Sequence, residues 1–202
     1  MQALRRLFSI GLLLVSGSLL AQPGLSKGDM FPHFATKDIN GQAVDTKQLV
    51  KDGPLVVLFY RGGWCPYCNR QLQAVNQEVL PVLKKTKGKI VAISVDKPAE
   101  GIKTKGNLKD DWHIVSDNGA KIVKTMKLEY KVPEDLVKTY KEKYQIDLEA
   151  ASGKRHHIVP IPAVYVVGKD GKIVYAYANQ DYKVRAANKE VNQALTALAN
   201  AS

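Results

Sequence analysis

The sequence predicts an α/β fold: a mixed central sheet, helices on both of its faces, and an N-terminal β-hairpin. Three observations predict it. A strand–helix–strand pattern spans residues 53–96, a turn-centred strand pair spans 162–178, and a second turn signal sits at Asn40-Gly41.

The elements follow in chain order. "GDMFPHFATKDINGQAV" (28–44) reads as a hairpin, because Asn-Gly accepts the backbone angles of a tight turn. "GPLVVLFYRGG" (53–63) is an apolar, β-branched run between glycines and predicts a fully buried strand. "CPYCNRQLQAVNQEVLPVLKKTKGK" then places apolar residues at 72, 75, 79, 80 and 83, a helical spacing that ends in lysines and Gly88. Pro81 should kink that helix, since it has no N–H to donate. "KIVAISVD" (89–96) is a second buried strand, parallel to the first across the helical crossover.

"AKIVKTMKL" (120–128) and "PEDLVKTYKEKY" (133–144) read as helical pieces. "PAVYVVGKDGKIVYAYA" turns at Lys169-Asp170-Gly171-Lys172, and "ANKEVNQALTALAN" (187–200) closes the chain as an amphipathic helix. The sheet is thus expected to be parallel in the middle and antiparallel at its edges.

The first 21 residues read as a leader rather than as fold. Arg5 and Arg6 precede the apolar run "LFSIGLLLVSGSLL", and Ala21 closes it, a signal-peptide pattern. Leu19 is large for a cleavage position, so the cut itself is not fixed. An uncleaved anchor is the competing reading, but the run falls short of the roughly 20 residues that cross a bilayer. Export, for instance to a bacterial periplasm, and a single domain over 22–202 are expected. The net charge of +11 falls to about +9 without Arg5 and Arg6. The lysines are dispersed among acids, and "GKRHH" (153–157) is the compact basic cluster; a solvated basic surface is favoured over a nucleic-acid partner.

Both cysteines of the 202-residue chain fall within Trp64-Cys65-Pro66-Tyr67-Cys68. The pattern puts Cys65 at the carboxyl end of a central strand and the start of a helix, the crevice where open α/β sheets bind ligands. Free N–H groups and a partial positive charge there lower a thiol pKa from about 8.5 into the range of roughly 3.5 to 7.5. Pro66 suits the first helical turn, and Cys68 is turned back toward Cys65. A bridge across two residues removes little chain entropy, which argues against a structural staple. A metal pair is the other reading, yet it needs two more ligands, and His33, His113, His156 and His157 lie far from the cysteines in sequence. A redox dithiol is favoured: Cys65 attacks, being nearer the helix start and more exposed, and Cys68 resolves. No cofactor or metal is expected.

"KGDMFPHFATKDINGQAV…DGPLVVLFYRGGWCPYCNRQL…IVAISVD" resembles the alkyl hydroperoxide reductase/thiol-specific antioxidant (AhpC/TSA) family, and in its "FYRGGWCPYC" run the peroxiredoxin-like branch of it. The resemblance extends over roughly 26–200. It implies a thioredoxin-like fold, hydroperoxide reduction or thiol–disulfide exchange at Cys65, a thiol/disulfide protein or hydroperoxide as partner, and an electron donor that the residues do not name.

Some positions depart from that pattern. Typical peroxiredoxins carry Thr or Ser three residues before the reactive cysteine, where this chain has Gly62. They carry an arginine before a later strand, where this chain has Pro162. Arg61 is the candidate to supply the missing charge, and Tyr60 to line the site beside it, with packing as the alternative for both. Trp64 resembles the tryptophan that enters the thioredoxin dithiol, and Pro162 the cis-proline that pairs with substrate; core filling and a plain strand-edge proline compete with these roles. Asp96 reads as a structural residue at a strand end, and His156 and His157 as solvated loop residues. No buried acid is placed beneath the dithiol, and "DYKVR" (181–185) resembles a segment of the same branch without a legible role. A copper-handling thioredoxin-fold protein and a binding module with a vestigial dithiol remain as alternative functions.

Overall fold

The computed structural model describes residues 23–201 except 107 and 110, so the leader predicted over 1–21 lies outside the described residues. The elements run β1 (Ala35–Lys37), β2 (Ala43–Asp45), α1 (Thr46–Asp52), β3 (Leu55–Phe59), α2 (Pro66–Glu78), α3 (Leu80–Lys85), β4 (Lys89–Ser94), α4 (Pro98–Lys105) and β5 (Trp112–Ser116). They continue with α5 (Lys121–Thr125), β6 (Glu129–Lys131), α6 (Glu134–Tyr144), α7 (Leu148–Ser152), β7 (Ile158–Pro160), β8 (Ala163–Val167), β9 (Ile173–Ala178) and α8 (Asn188–Asn200).

A five-stranded sheet in the order β5-β4-β3-β8-β9 forms the centre. β3, β4 and β5 are parallel, while β8 is antiparallel to both β3 and β9. The parallel ladder therefore reaches one edge of the sheet instead of stopping inside it, because Trp112–Ser116 adds a strand that the sequence reading left unassigned.

Side chains alternate along β3, so Leu55, Val57 and Phe59 enter one core and Val56, Leu58 and Tyr60 the other. The first core receives Val50 from α1 and Val123 from α5; the second receives Leu72 and Val75 from α2, Leu83 from α3 and Leu195 from α8. All five residues of β3 are buried, which is why it reads as an unbroken apolar run.

The N-terminal hairpin β1–β2 turns at Gly41, whose φ of +80° suits glycine, and Asp38 accepts the N–H groups of Asn40 and Gln42. Pro81 ends one helix rather than bending it: α2 stops at Glu78, and α3 starts at Leu80 with the proline in its first turn. The segment 120–128 keeps only five helical residues before Leu128 leads into β6.

Between β6 and β7, which pair antiparallel, α6 and α7 form an insertion with its own small core of Val132, Tyr140, Leu148 and Val159. Trp64 packs against that core as well as the larger one, so the insertion leans directly on the residue before the dithiol. No helix among the described residues is long and apolar enough to cross a membrane.

Candidate active site around Cys65 and Cys68

Cys65 is the N-cap of α2 and Pro66 its first residue, with the N–H groups of Cys68 and Asn69 donating to the Cys65 carbonyl. The loop ahead of it is pinned at three points. Cys65 N–H donates to the Gly62 carbonyl, Gly63 N–H to Asp96 Oδ2 at 2.7 Å, and Asn69 Nδ2 to the Gly63 carbonyl at 2.7 Å. Gly62 has no room for a side chain. A Cβ there would collide with the Trp64 indole nitrogen and come within 2.8 Å of Asp96 Oδ1. Indole and carboxylate thus occupy the space that a hydroxyl side chain would need.

Both sulfurs are unbridged and buried, Cys65 at 1 % and Cys68 at 0 % exposure. Cys65, expected to be the more exposed of the two, is buried almost as fully as Cys68. Environment separates the two cysteines even so. The hydrogen bond from the Cys68 thiol pulls the Cys65 pKa down to about 6; burial opposes this, and the Cys68 N–H and the charges of Arg61 and Arg185 support it. Burial and the neighbouring Cys65 push the Cys68 thiol well up.

Arg185 was not singled out from the sequence. Its Nη2 stands 3.4 Å from Cys68 Sγ and 4.0 Å from Cys65 Sγ, and its Nη1 donates to Gln71 Oε1 of α2 at 3.0 Å. Residues 181–185 are drawn onto the site by Tyr182, which meets Tyr67 edge to face at 5.6 Å and lies beneath the Arg61 guanidinium at 4.2 Å.

Arg61 is buried and turned toward the insertion. Its Nη2 donates to Tyr140 Oη at 2.7 Å, and its guanidinium lies 5.0 Å from the Trp64 ring. It acts on Cys65 through its charge, while Arg185 makes the sulfur contact. Tyr60 is 1 % exposed, with its hydroxyl buried toward Ser94, Thr104 and Asp96, and it lines neither groove described below. Burial, and then the Asp96 charge, raise its pKa.

Asp96 follows β4 and lies under the loop at 62–64. Burial lifts its carboxyl to about 6, Glu100 adds to the rise, and the Gly63 N–H holds it back. A buried acid therefore lies under the loop that leads into the dithiol, supplied by the end of the neighbouring strand rather than by the strand that precedes the cysteines. An aspartate closing the second strand of a βαβ unit was the sequence signal for it.

Two grooves flank the dithiol. One of about 870 Å³ runs past Trp64, Pro66, Arg70, Lys97 and Ile146; the other, of about 460 Å³, is lined by Arg61, Tyr130, Tyr140, Pro162 and Tyr182. Pro162 is joined through a trans bond, as no cis peptide occurs among the described residues, so the cis-proline geometry expected from the resemblance is absent. His156 and His157 are not simply solvated: His156 Nε2 meets the Asn118 carbonyl, and His157 lies between Glu134 at 3.1 Å and Glu149 at 3.0 Å. Among the described residues no group of three or more His, Cys, Asp or Glu could hold a metal ion, so the copper reading finds no histidine to complete the cysteine pair.

Peroxiredoxin Q of Oryza sativa subsp. japonica is 30 % identical over 156 residues, covering 77 % of this chain and 60 % of the rice protein. The chain thus spans about 60 % of that relative's length. The thiol-disulfide oxidoreductase ResA of Bacillus thuringiensis is 21 % identical over 176 residues, covering 87 % of this chain and 83 % of ResA. In fold, the peroxidoxin BcpB of Mycobacterium tuberculosis superposes with a TM-score of 0.63 at 17 % identity, covering 87 % of this chain and 97 % of its own. The AhpC/TSA family model matches residues 27–176, three-quarters of the sequence, and the chain belongs to that family.

Proposed function

We propose that this protein is a thiol-dependent peroxidase in which Cys65 reduces small hydroperoxides and Cys68 resolves the product. One observation carries the reading: Cys65, its pKa drawn to about 6, is 1 % exposed and sits beside Arg61 and Arg185. A sulfur so covered admits a small oxidant far more readily than the S–S bond of a folded protein.

The Cys65 thiolate attacks one oxygen of the hydroperoxide. An S–O bond forms, the O–O bond breaks, and the leaving alkoxide takes a proton from solvent. The guanidinium groups offset the negative charge that moves onto the oxygens. Cys68 then attacks the Cys65 sulfenic acid, forming the disulfide as water leaves. An external dithiol returns both cysteines to the reduced state and is itself oxidised to a disulfide. The likeness to peroxiredoxin Q supports this assignment.

A second reading, disulfide exchange with a protein partner, is favoured by the groove of about 460 Å³, whose aromatic residues and Pro162 suit an extended peptide. The likeness to ResA points the same way. This groove equally suits the donor that regenerates the peroxidase. The leader pattern at 1–21 supports export as the setting for either chemistry.

Stopped-flow oxidation of the reduced protein by hydrogen peroxide tests the assignment. Oxidation orders of magnitude faster than free cysteine, lost in Cys65→Ser, is expected. A rate no faster than free cysteine would leave disulfide exchange as the function.

A further inference from the structure

Two guanidinium groups stand at the dithiol without a carboxylate partner. Among the described residues, neither Arg61 nor Arg185 has an acidic oxygen within 4.0 Å. Asp96, the buried acid nearby in the fold, accepts from the Gly63 backbone instead. Arg61 is 4 % exposed and locked by Tyr140, Trp64 and Tyr182. Arg185 Nε is buried with no hydrogen-bond partner.

In the reduced protein the thiolate of Cys65 is the anion that Arg185 contacts and that the Arg61 charge also stabilises. Forming the Cys65–Cys68 disulfide removes that charge and leaves both guanidinium groups in place. A buried cation must be paired, hydrated or driven out. Packing bars Arg61 from leaving, and the start of α2 adds its own positive field at the same point.

We propose that the disulfide form binds a small monovalent anion between Arg61 and Arg185, beside Cys65, and that reduction expels it. The inference rests on Cys65 and Cys68 forming a reversible dithiol pair. The exchange balances as disulfide with bound anion, two electrons and one proton going to thiolate, thiol and free anion. The thiolate takes over the position that the anion vacates.

Chloride is the probe. The reduction potential of the full chain is read against glutathione buffers at neutral pH, with chloride replacing gluconate at constant ionic strength. Release of one anion per two electrons lowers the potential by about 29.6 mV for each tenfold rise in chloride above its dissociation constant. The slope should vanish in Arg185→Gln and in Arg61→Gln, and persist in Lys169→Gln, which alters an exposed residue of the β8–β9 turn. Should Arg61→Gln fail to fold, Arg185→Gln and chloride NMR line widths carry the test. Broadening by the oxidised wild type, absent when it is reduced, is expected. A clean two-electron titration with no chloride dependence, or equal line widths in both states, overturns the inference alone. Cysteines that never titrate as a couple overturn the dithiol reading and the inference with it.

Discussion

Arg185 Nη2 lies 3.4 Å from Cys68 Sγ, although 117 residues of chain separate the two. The contact depends on three side-chain placements. Gln71 of α2 accepts from the other guanidinium nitrogen, Tyr182 anchors the segment against Tyr67 and Arg61, and Ala186 is buried in the α2–α8 core. A cation thus reaches the dithiol from the far end of the fold.

Replacing Arg185 should separate two effects. Arg185→Ala is expected to slow peroxide oxidation by roughly 100-fold, the scale for losing one charge-stabilising donor at a reacting oxygen. It should also move the Cys65 titration upward. Arg185→Lys should recover part of the rate, since it keeps the charge without the planar fork. Iodoacetamide has no O–O bond to polarise, so its rate above the titration midpoint should hardly change. If both reagents slow equally there, Arg185 has no role in polarising peroxide.

The cysteine pair predicts a pH profile. Alkylation at Cys65 should rise with pH through a midpoint near 6, with Cys68 silent until far more alkaline conditions. Cys68→Ala removes the donated thiol hydrogen bond, the largest cause of the lowering, and should shift the midpoint up. The same variant should stall as a sulfenic acid after one equivalent of peroxide, read by mass. A midpoint unchanged in Cys68→Ala would show that the helix terminus and arginines set the pKa without it.

Asp96 predicts a stability profile of the opposite sense to that of a salt-bridged acid. Its folded-state pKa of about 6 lies above its ordinary 3.8, so its contribution is full below pH 3.8 and is lost as pH rises through 6. The shift of about two units corresponds to a loss on the order of 3 kcal/mol. Asp96→Asn keeps an oxygen for the Gly63 N–H and removes the charge. It should be more stable than the wild type above pH 7 and flatter with pH in urea titrations. A wild-type profile already flat from pH 4 to 7 would contradict the burial argument.

Tyr140 predicts a packing cost at a distance from the sulfurs. Tyr140→Phe leaves Arg61 Nη2 without the acceptor it meets at 2.7 Å. The expected loss is about 1.5 to 3 kcal/mol, the scale for a hydrogen bond to a charged group. Urea unfolding with an unchanged slope measures it. No loss would mean that water or another group accepts from Arg61 in its place.

The local chain determined much of this protein. Unbroken β-branched runs set β3 and β4, turn dipeptides set both hairpins, and the Cys65–Cys68 spacing behind a strand set the dithiol at a helix start. Each of these is a short-range matter of sterics, periodicity and missing N–H partners, so adjacent residues suffice to read it. The short elements β5, β6, β7 and α7 escaped because three to five residues are too few for a period to show. The partners of the sulfurs were decided by tertiary structure alone. Arg185 comes from a segment 120 residues after Cys65, and nothing local marks a residue that will be brought to a charge by packing elsewhere. Burial worked the same way. The α6–α7 insertion packs on Trp64, and Cys65 is buried although its place at a helix start suggested more exposure, because exposure belongs to the assembled surface and not to any one stretch of chain.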